Sequence, residues 1–211
     1  MPPNEFFLIG DSHAVAIGEA AAQANRPFRG GPLGAGRTLE EPFFDIDGDR
    51  LILTHPVCEP VADRFADLLT YQGPVLSTMG YNGLRLVEQF ADWRAKTGLQ
   101  ASAAAFDQSV LDTRAAIVAL TRAMTDRGIA VFAAPSPPRM PPEHKPGVDR
   151  YERVFGDALR AAGATVLDIR SATCDGAGFL RPEFARDGDP THGNAAFGAA
   201  VLDCFDRAFL G

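Results

Sequence analysis

Hydrophobic and polar positions along the chain switch between two periods, and the switches mark its elements. Residues 6–9, Phe-Phe-Leu-Ile, form a short unbroken apolar run closed by Gly10, the pattern of a strand buried on both faces. The period changes at once over 14–24 (AVAIGEAAAQA), where small and apolar side chains with Glu19 and Gln23 four apart predict a helix packed closely on a sheet despite Gly18. Comparable strand patterns recur at 74–79, 129–134 and 165–169, and helical periodicity predicts helices at 59–69, 84–96, 106–127, 148–162 and 195–209. Around Asp47-Gly48-Asp49 the stretches PFFDI and RLILTH alternate, which predicts a β-hairpin over 43–55. Being antiparallel, it is expected as an insertion at the sheet edge or above the functional rim. Strand and helix alternate from end to end, so the expected fold class is α/β: a three-layer αβα sandwich with an about five-stranded parallel sheet joined by right-handed crossovers.

Composition narrows the picture. With 211 residues, 46% of them hydrophobic and 22% charged, the chain can bury a substantial core and is expected to form a single domain over 1–211. The 21 glycines and 16 prolines imply many turns and long loops, and recurring apolar segments argue against disorder. A net charge of -7 provides no basic footprint for nucleic acid or an anionic membrane. Cys58, Cys174 and Cys204 are odd in number and widely spaced, neither a disulfide framework nor a metal motif. No segment is apolar enough to span a bilayer and no export signal opens the sequence, so the expectation is a cytoplasmic protein with no metal and no cofactor.

Candidate chemistry sits at the joints between elements. Ser12 follows the first strand and precedes the first helix, the place where open α/β sheets bind ligands and where free helix N–H groups favour negative charge. A side-chain cap by Asp11 or Ser12 is the structural alternative. Near the other end, Asp189 and His192 stand three apart in a loop containing Gly and Pro. That spacing lets the carboxylate reach one imidazole nitrogen while the other faces Ser12, the geometry of an acid-base-nucleophile triad. Asn194 is positioned to cap the closing helix. Asn82, in Gly80-Tyr81-Asn82-Gly83 after the 74–79 strand, is either an amide donor at the same rim or a turn former and helix cap. Residues 29–38 hold the densest glycine cluster. Gly31, Gly36, Arg37 and Thr38 nearly spell a phosphate-binding loop, but Arg replaces Lys, and Pro42 and Asp47-Gly48 break the helix that the motif needs. His55, beside the hairpin, is a rival base. Cys174 has no strand-to-helix turn to activate it. Arg139, in the Pro-rich stretch 135–142, could receive an anionic group or simply be solvated.

Gly10-Asp11-Ser12-His13 resembles the first sequence block of the SGNH (GDSL-like) hydrolases, in the variant where His follows Ser. Asp189-Pro190-Thr191-His192 resembles their last block, Asp-x-x-His. Gly80 and Asn82 match the third block, with Gly83 where Asp is usual, and the glycine cluster matches the second loosely. The resemblance implies flavodoxin-like strand order and a Ser12-His192-Asp189 triad. It implies an oxyanion hole built from the Ser12 N–H, the Asn82 side chain and a glycine N–H among Gly30, Gly31 and Gly34, with Gly31 and Gly34 as candidates. Asp11, His13, Tyr81, His55 and Arg139 are candidate substrate-lining positions. The implied activity is hydrolysis of a short-chain or acetyl ester of a small molecule or carbohydrate. Acyl transfer to a sugar or other small alcohol is the alternative, and a noncatalytic ligand-binding protein on the same fold is a further one.

Overall fold

The computed structural model describes residues 5–189 and 191–211; residues 1–4 and Pro190 of the terminal block lie outside them. Strands β1 (Phe6–Gly10), β2 (Phe28–Pro32), β5 (Val75–Ser77), β6 (Val131–Ala133) and β7 (Thr165–Val166) pair in parallel in the order β2-β1-β5-β6-β7, and β3 (Phe44–Asp47) and β4 (Arg50–Leu53) form a separate antiparallel pair. Numbered within the parallel sheet, the order is 2-1-3-4-5, the flavodoxin-like doubly wound arrangement. The topological switch point lies between β1 and β5, where the connections leave in opposite directions.

Alternation within each buried strand divides the core into two layers. Phe6, Leu8, Leu76 and Phe132 point to one face, covered by α1 (Ala14–Gln23) and α6 (Ala195–Leu210). Phe7, Ile9, Val75 and Val131 point to the other, covered by α2 (Leu84–Thr97), α3 (Ala103–Thr125), α4 (Lys145–Ala161) and the β3–β4 hairpin. Full burial of Phe6 and of Phe7 contributes about 1.5–3 kcal/mol each. The fold is thus the αβα sandwich that the hydrophobic pattern predicts.

Three segments differ from the sequence expectation. Residues 28–32 form β2 although the glycine pair reads as loop. A Cβ on Gly30 would sit 2.3 Å from the Leu8 carbonyl, and its φ of 79° favours glycine, so here glycine permits the strand to press on β1. Residues 59–69 form no α-helix. They fall in two 3₁₀ segments, Pro56–Arg64 and Leu68–Thr70, because Pro56 and Pro60 each lack the N–H that a continuous helix requires. The hairpin pairs from Phe44↔Leu53 to Asp47↔Arg50, as its turn predicts, but extends no edge of the main sheet. It lies on the α3 face through Phe43 and Leu51, and its turn is held by Arg127, just past α3, whose Nη2 donates to the Gly48 carbonyl at 3.0 Å. Because α3 feeds the amino end of β6, that turn lies at the end of the sheet opposite Ser12.

Candidate active site

The site is built where β1 stops. A Cβ on Gly10 would fall 1.9 Å from Thr78 Oγ1, so any larger residue at the end of β1 would displace the side chain of the segment leaving β5. The chain then turns through Asp11, Ser12 and His13 into α1, with the Ala14 N–H donating to the Asp11 carbonyl at 3.0 Å. Asp11 Oδ1 accepts the His13 N–H at 2.9 Å, which fixes the turn. The Ser12 hydroxyl is not used as a cap: its Oγ lies 2.8 Å from His192 Nε2.

The loop that brings His192 to Ser12 closes on itself. Ala185 and Gly193 form an antiparallel bridge, the Arg186 N–H donates to the His192 carbonyl at 3.1 Å, and the Asn194 N–H donates to the Phe184 carbonyl at 2.9 Å. Asn194 Oδ1 caps α6 by accepting the Phe197 N–H at 3.1 Å, and its Nδ2 donates to the carbonyls of Glu183 and Ala185. Inside the loop, Asp189 Oδ1 accepts the N–H groups of Thr191 at 2.8 Å and His192 at 3.0 Å, while Oδ2 lies 2.8 Å from His192 Nδ1. The two backbone donors, and after them the imidazole, hold the Asp189 carboxyl well below the usual carboxylate range. Asp189, His192 and Ser12 are therefore hydrogen-bonded in line, and Ser12 sits at the N-terminus of α1, where developing negative charge is favoured.

Two groups beside this line are buried and incompletely paired. His13 is 5% exposed and its ring centroid lies 4.9 Å from that of His192, with Nδ1 unpartnered. Burial lowers its pKa, against the opposing pull of Asp11. Asp11 is 1% exposed with Oδ2 unpartnered, and burial raises its pKa although His13 and Arg114 act the other way.

The remaining predicted positions separate. The Asn82 side chain makes no hydrogen bond among the described residues, so its amide is free to donate. A Cβ built on Gly36 would lie 3.7 Å from Asn82 Nδ2 and 3.3 Å from Asp11 Oδ2. Gly31 is held within β2, and Gly34 packs toward Val57 and Thr38. Gly36 is thus the cluster's glycine that faces Asp11 and Asn82. Its sequence signal, the fourth glycine of the cluster at the opening of a 3₁₀ turn (Gly36–Glu40), is weak. Tyr81 is a core residue packed on Phe155, with its hydroxyl unpartnered and its pKa pushed up by burial; its carbonyl accepts the Ser136 hydroxyl at 2.8 Å. His55 spends Nδ1 on the Val57 N–H at 3.2 Å and makes no hydrogen bond to Ser12, Asp189 or His192. Cys174 bridges Leu180 through its backbone. Arg139 faces the site but donates from Nη1 to the carbonyls of His192 and Arg186.

Sequence reasoning missed Arg114. This residue of α3 is 2% exposed, donates from Nε to the Gly80 carbonyl at 3.1 Å and to the Tyr151 hydroxyl, and places Nη2 3.6 Å from Glu40. The Tyr151 hydroxyl also donates to Gly80, and burial pushes its pKa up to about 12. A buried arginine in a helix of surface-like periodicity leaves no local signature.

Three spaces adjoin the site. A cavity of about 210 Å³ holds Ser12, His13, Arg186, Asp189 and His192. A narrow one of about 20 Å³, close to one water, lies between His13, Tyr81, Asn82 and Arg139. It shares Leu84, Arg139, Met140 and Thr191 with a groove of about 510 Å³ whose far wall is Phe179 and Leu180. Among the described residues no group of three or more His, Cys, Asp or Glu side chains is placed to hold a metal ion, and no helix is long and apolar enough to cross a membrane.

No family model matches the chain, and no curated protein matches its sequence. Solved structures share its fold. An acetylxylan esterase from Geobacillus stearothermophilus is 14% identical over 98% of this chain and 94% of its own, with a TM-score of 0.53. A GDSL-like lipase from Bacteroides thetaiotaomicron is 11% identical over 98% and 88%, with a TM-score of 0.51. An alpha/beta hydrolase enzyme from the metagenome of Lake Arreo, Spain, is 14% identical over 98% and 95%, also with a TM-score of 0.51. Two catalytic mutants of the Geobacillus esterase, one at a serine and one at an aspartate, match as well. At such identities the likeness is one of fold.

Proposed function

We propose that this protein is a serine hydrolase of the SGNH type, cleaving short-chain acyl esters of a small molecule or carbohydrate through an acyl-enzyme, with the whole chain acting as one domain. The observation that carries the reading is the continuous line of hydrogen bonds from Asp189 through His192 to Ser12, 2.8 Å at each step. Ser12 Oγ attacks the acyl carbonyl as His192 Nε2 takes its proton, and Asp189 orients the ring and compensates its charge. The same proton then passes to the leaving alcohol, and a water activated by His192 releases the acid. The oxyanion is received by the Ser12 N–H, the Asn82 amide and the Gly36 N–H. Gly36 replaces Gly31 and Gly34 in this role because it is the glycine beside Asn82. The acetylxylan esterase and lipase among the similar folds support an ester substrate.

The test is turnover of short activated acyl esters together with labelling by a fluorophosphonate. Ser12→Ala should abolish labelling, and Ser12→Ala and His192→Ala should each reduce turnover by about 10⁴-fold or more. Asn82→Ala should slow acylation by about 10²- to 10³-fold with little change in affinity for a substrate analogue, since its bond matures only as charge develops. A folded Ser12→Ala protein keeping more than about a tenth of wild-type turnover would end the assignment, because a nucleophile contributes far more than tenfold.

A further inference from the structure

We propose that Arg139 is a positioning residue for the base: it fixes the backbone of His192 from the side of the sheet rim, and this rests on the reading of His192 as base given above. The terminal loop reaches Ser12 from the far end of the chain and must be located against it. On one side it is tied to α1 by Arg186, whose Nη2 lies 2.7 Å from Glu19 Oε2. On the other side, Arg139 reaches it from the loop after β6. Its Nη1 donates to the His192 carbonyl at 3.2 Å and to the Arg186 carbonyl at 3.3 Å, spanning the neck where the Arg186 N–H also meets the His192 carbonyl. The His192 carbonyl thus accepts two donors, one from within the loop and one from outside it.

The arm that carries Arg139 is stiff enough to serve as a reference. Pro135, Pro137 and Pro138 are buried, Ser136 is anchored on the Tyr81 carbonyl, the Arg139 N–H closes a turn onto the Pro137 carbonyl at 2.9 Å, and the Pro138 carbonyl accepts the Leu180 N–H at 3.3 Å. A guanidinium suits the task because it stays charged and its planar donors meet two carbonyls from one side chain. Its contact is to the carbonyl oxygen of the proposed base, four bonds from the imidazole, so it acts on the ring through the main chain. Displacing a catalytic group by about 1 Å can cost about 100-fold in rate, and a neck released on one side permits shifts of that size.

The experiment compares wild type with Arg139→Met, which keeps length and removes the donors, and with Arg139→Lys, which keeps the charge on a side chain one bond shorter in reach. Kinetics use a short activated ester, and proton NMR follows the far-downfield imidazole proton of the His192–Asp189 bond, assigned by its loss in His192→Gln. In folded Arg139→Met, kcat should fall about 10- to 100-fold with KM nearly unchanged, and the downfield proton should broaden or vanish. Arg139→Lys should be intermediate in both, and added guanidinium at millimolar concentration should partly restore kcat in Arg139→Ala. A purely structural role would lower the denaturant midpoint and leave the downfield proton and the kcat of the folded fraction unchanged, which would overturn the proposal. A raised KM at constant kcat would overturn it too, making Arg139 a substrate contact. If Arg139→Met does not fold, Arg139→Gln, which removes the charge and shortens the side chain, decides: wild-type kcat and a wild-type downfield proton in that variant would overturn it. Should wild type turn over no ester, the hydrolase reading fails by itself, and the downfield proton still tests the clamp.

Discussion

Asp11 stands immediately before Ser12, the proposed nucleophile, 1% exposed, with one carboxylate oxygen on the His13 N–H and the other unpartnered. Burial raises its pKa above the usual 3.8, so over the interval above that value the native state keeps a proton that the unfolded chain has lost. Stability therefore falls as pH rises through that interval. Asp11→Asn keeps an oxygen for the His13 N–H and removes the ionisation, so its stability should vary less between mildly acidic and neutral pH, and at neutral pH it should equal or exceed wild type. Denaturant midpoints across that range check this; a variant with the same pH slope as wild type would show that Asp11 contributes none of it. Asp189 has the opposite sign. Its lowered pKa means that the stability it lends is present above 3.8 and is lost only as pH falls through the lower folded value. At this scale, what was legible in the sequence was whatever a short motif holds: Ser12 at a strand-to-helix turn, Asp189 and His192 at a spacing of three, Asn82 after a strand. Gly36 was hidden among neighbouring glycines, and the commitment of Arg139 to backbone partners depends on chain segments that meet only after folding, whereas His55 is committed locally, to the N–H two residues on.

Elements set how accurately the proposed base is aimed, and the close packing of α1 against α6 bears on it directly. A Cβ on Gly198, in the first turns of α6, would lie 2.0 Å from the Ala16 carbonyl of α1. α6 begins directly after the loop that holds His192, and α1 begins two residues after Ser12, so the separation of these two helices sets that of Ser12 and His192. Gly198→Ala forces backbone against backbone and should cost about 1–3 kcal/mol in the denaturant midpoint. It should also lower kcat more than a loss of that size explains, measured at a denaturant-free concentration where the variant is folded. Full kcat in the destabilised variant would show that the loop bonds alone hold His192. Strands and helices with a clear apolar period were readable in advance, as were the antiparallel pair around Gly48 and the cap by Asn194. β2 was not, because Gly30 and Gly31 carry no side-chain pattern and exist to let β2 approach β1; nor were the 3₁₀ turns at Pro56–Arg64, where an amphipathic spacing concealed two prolines.

Strand order belongs to the whole molecule, and no stretch of sequence contains it. The order β2-β1-β5-β6-β7 puts the ends of β1 and β5 side by side, so that Ser12 and the Gly80–Asn82 segment meet at the switch point. What then holds these ends in register comes from a third place, Arg114 on α3. It joins the Gly80 carbonyl, the Tyr151 hydroxyl of α4 and Glu40, at the end of the 3₁₀ turn that opens with Gly36. The two segments proposed to receive the oxyanion are therefore linked through one buried cation. Removing it leaves the Gly80 carbonyl with Tyr151 alone and leaves Glu40 facing no buried charge. Hydrogen bonds to charged groups are worth about 1.5–3 kcal/mol each, so Arg114→Met should lose at least about 2 kcal/mol of stability. It should also slow acylation more than it weakens binding of a substrate analogue, because the Asn82 and Gly36 segments lose their common support while the Ser12–His192 contact does not depend on it. Pre-steady-state acylation beside the denaturant midpoint separates the two effects. A midpoint within about 0.5 kcal/mol of wild type, the range of ordinary surface substitutions, would show that the packing of α3 on the sheet suffices without the cation.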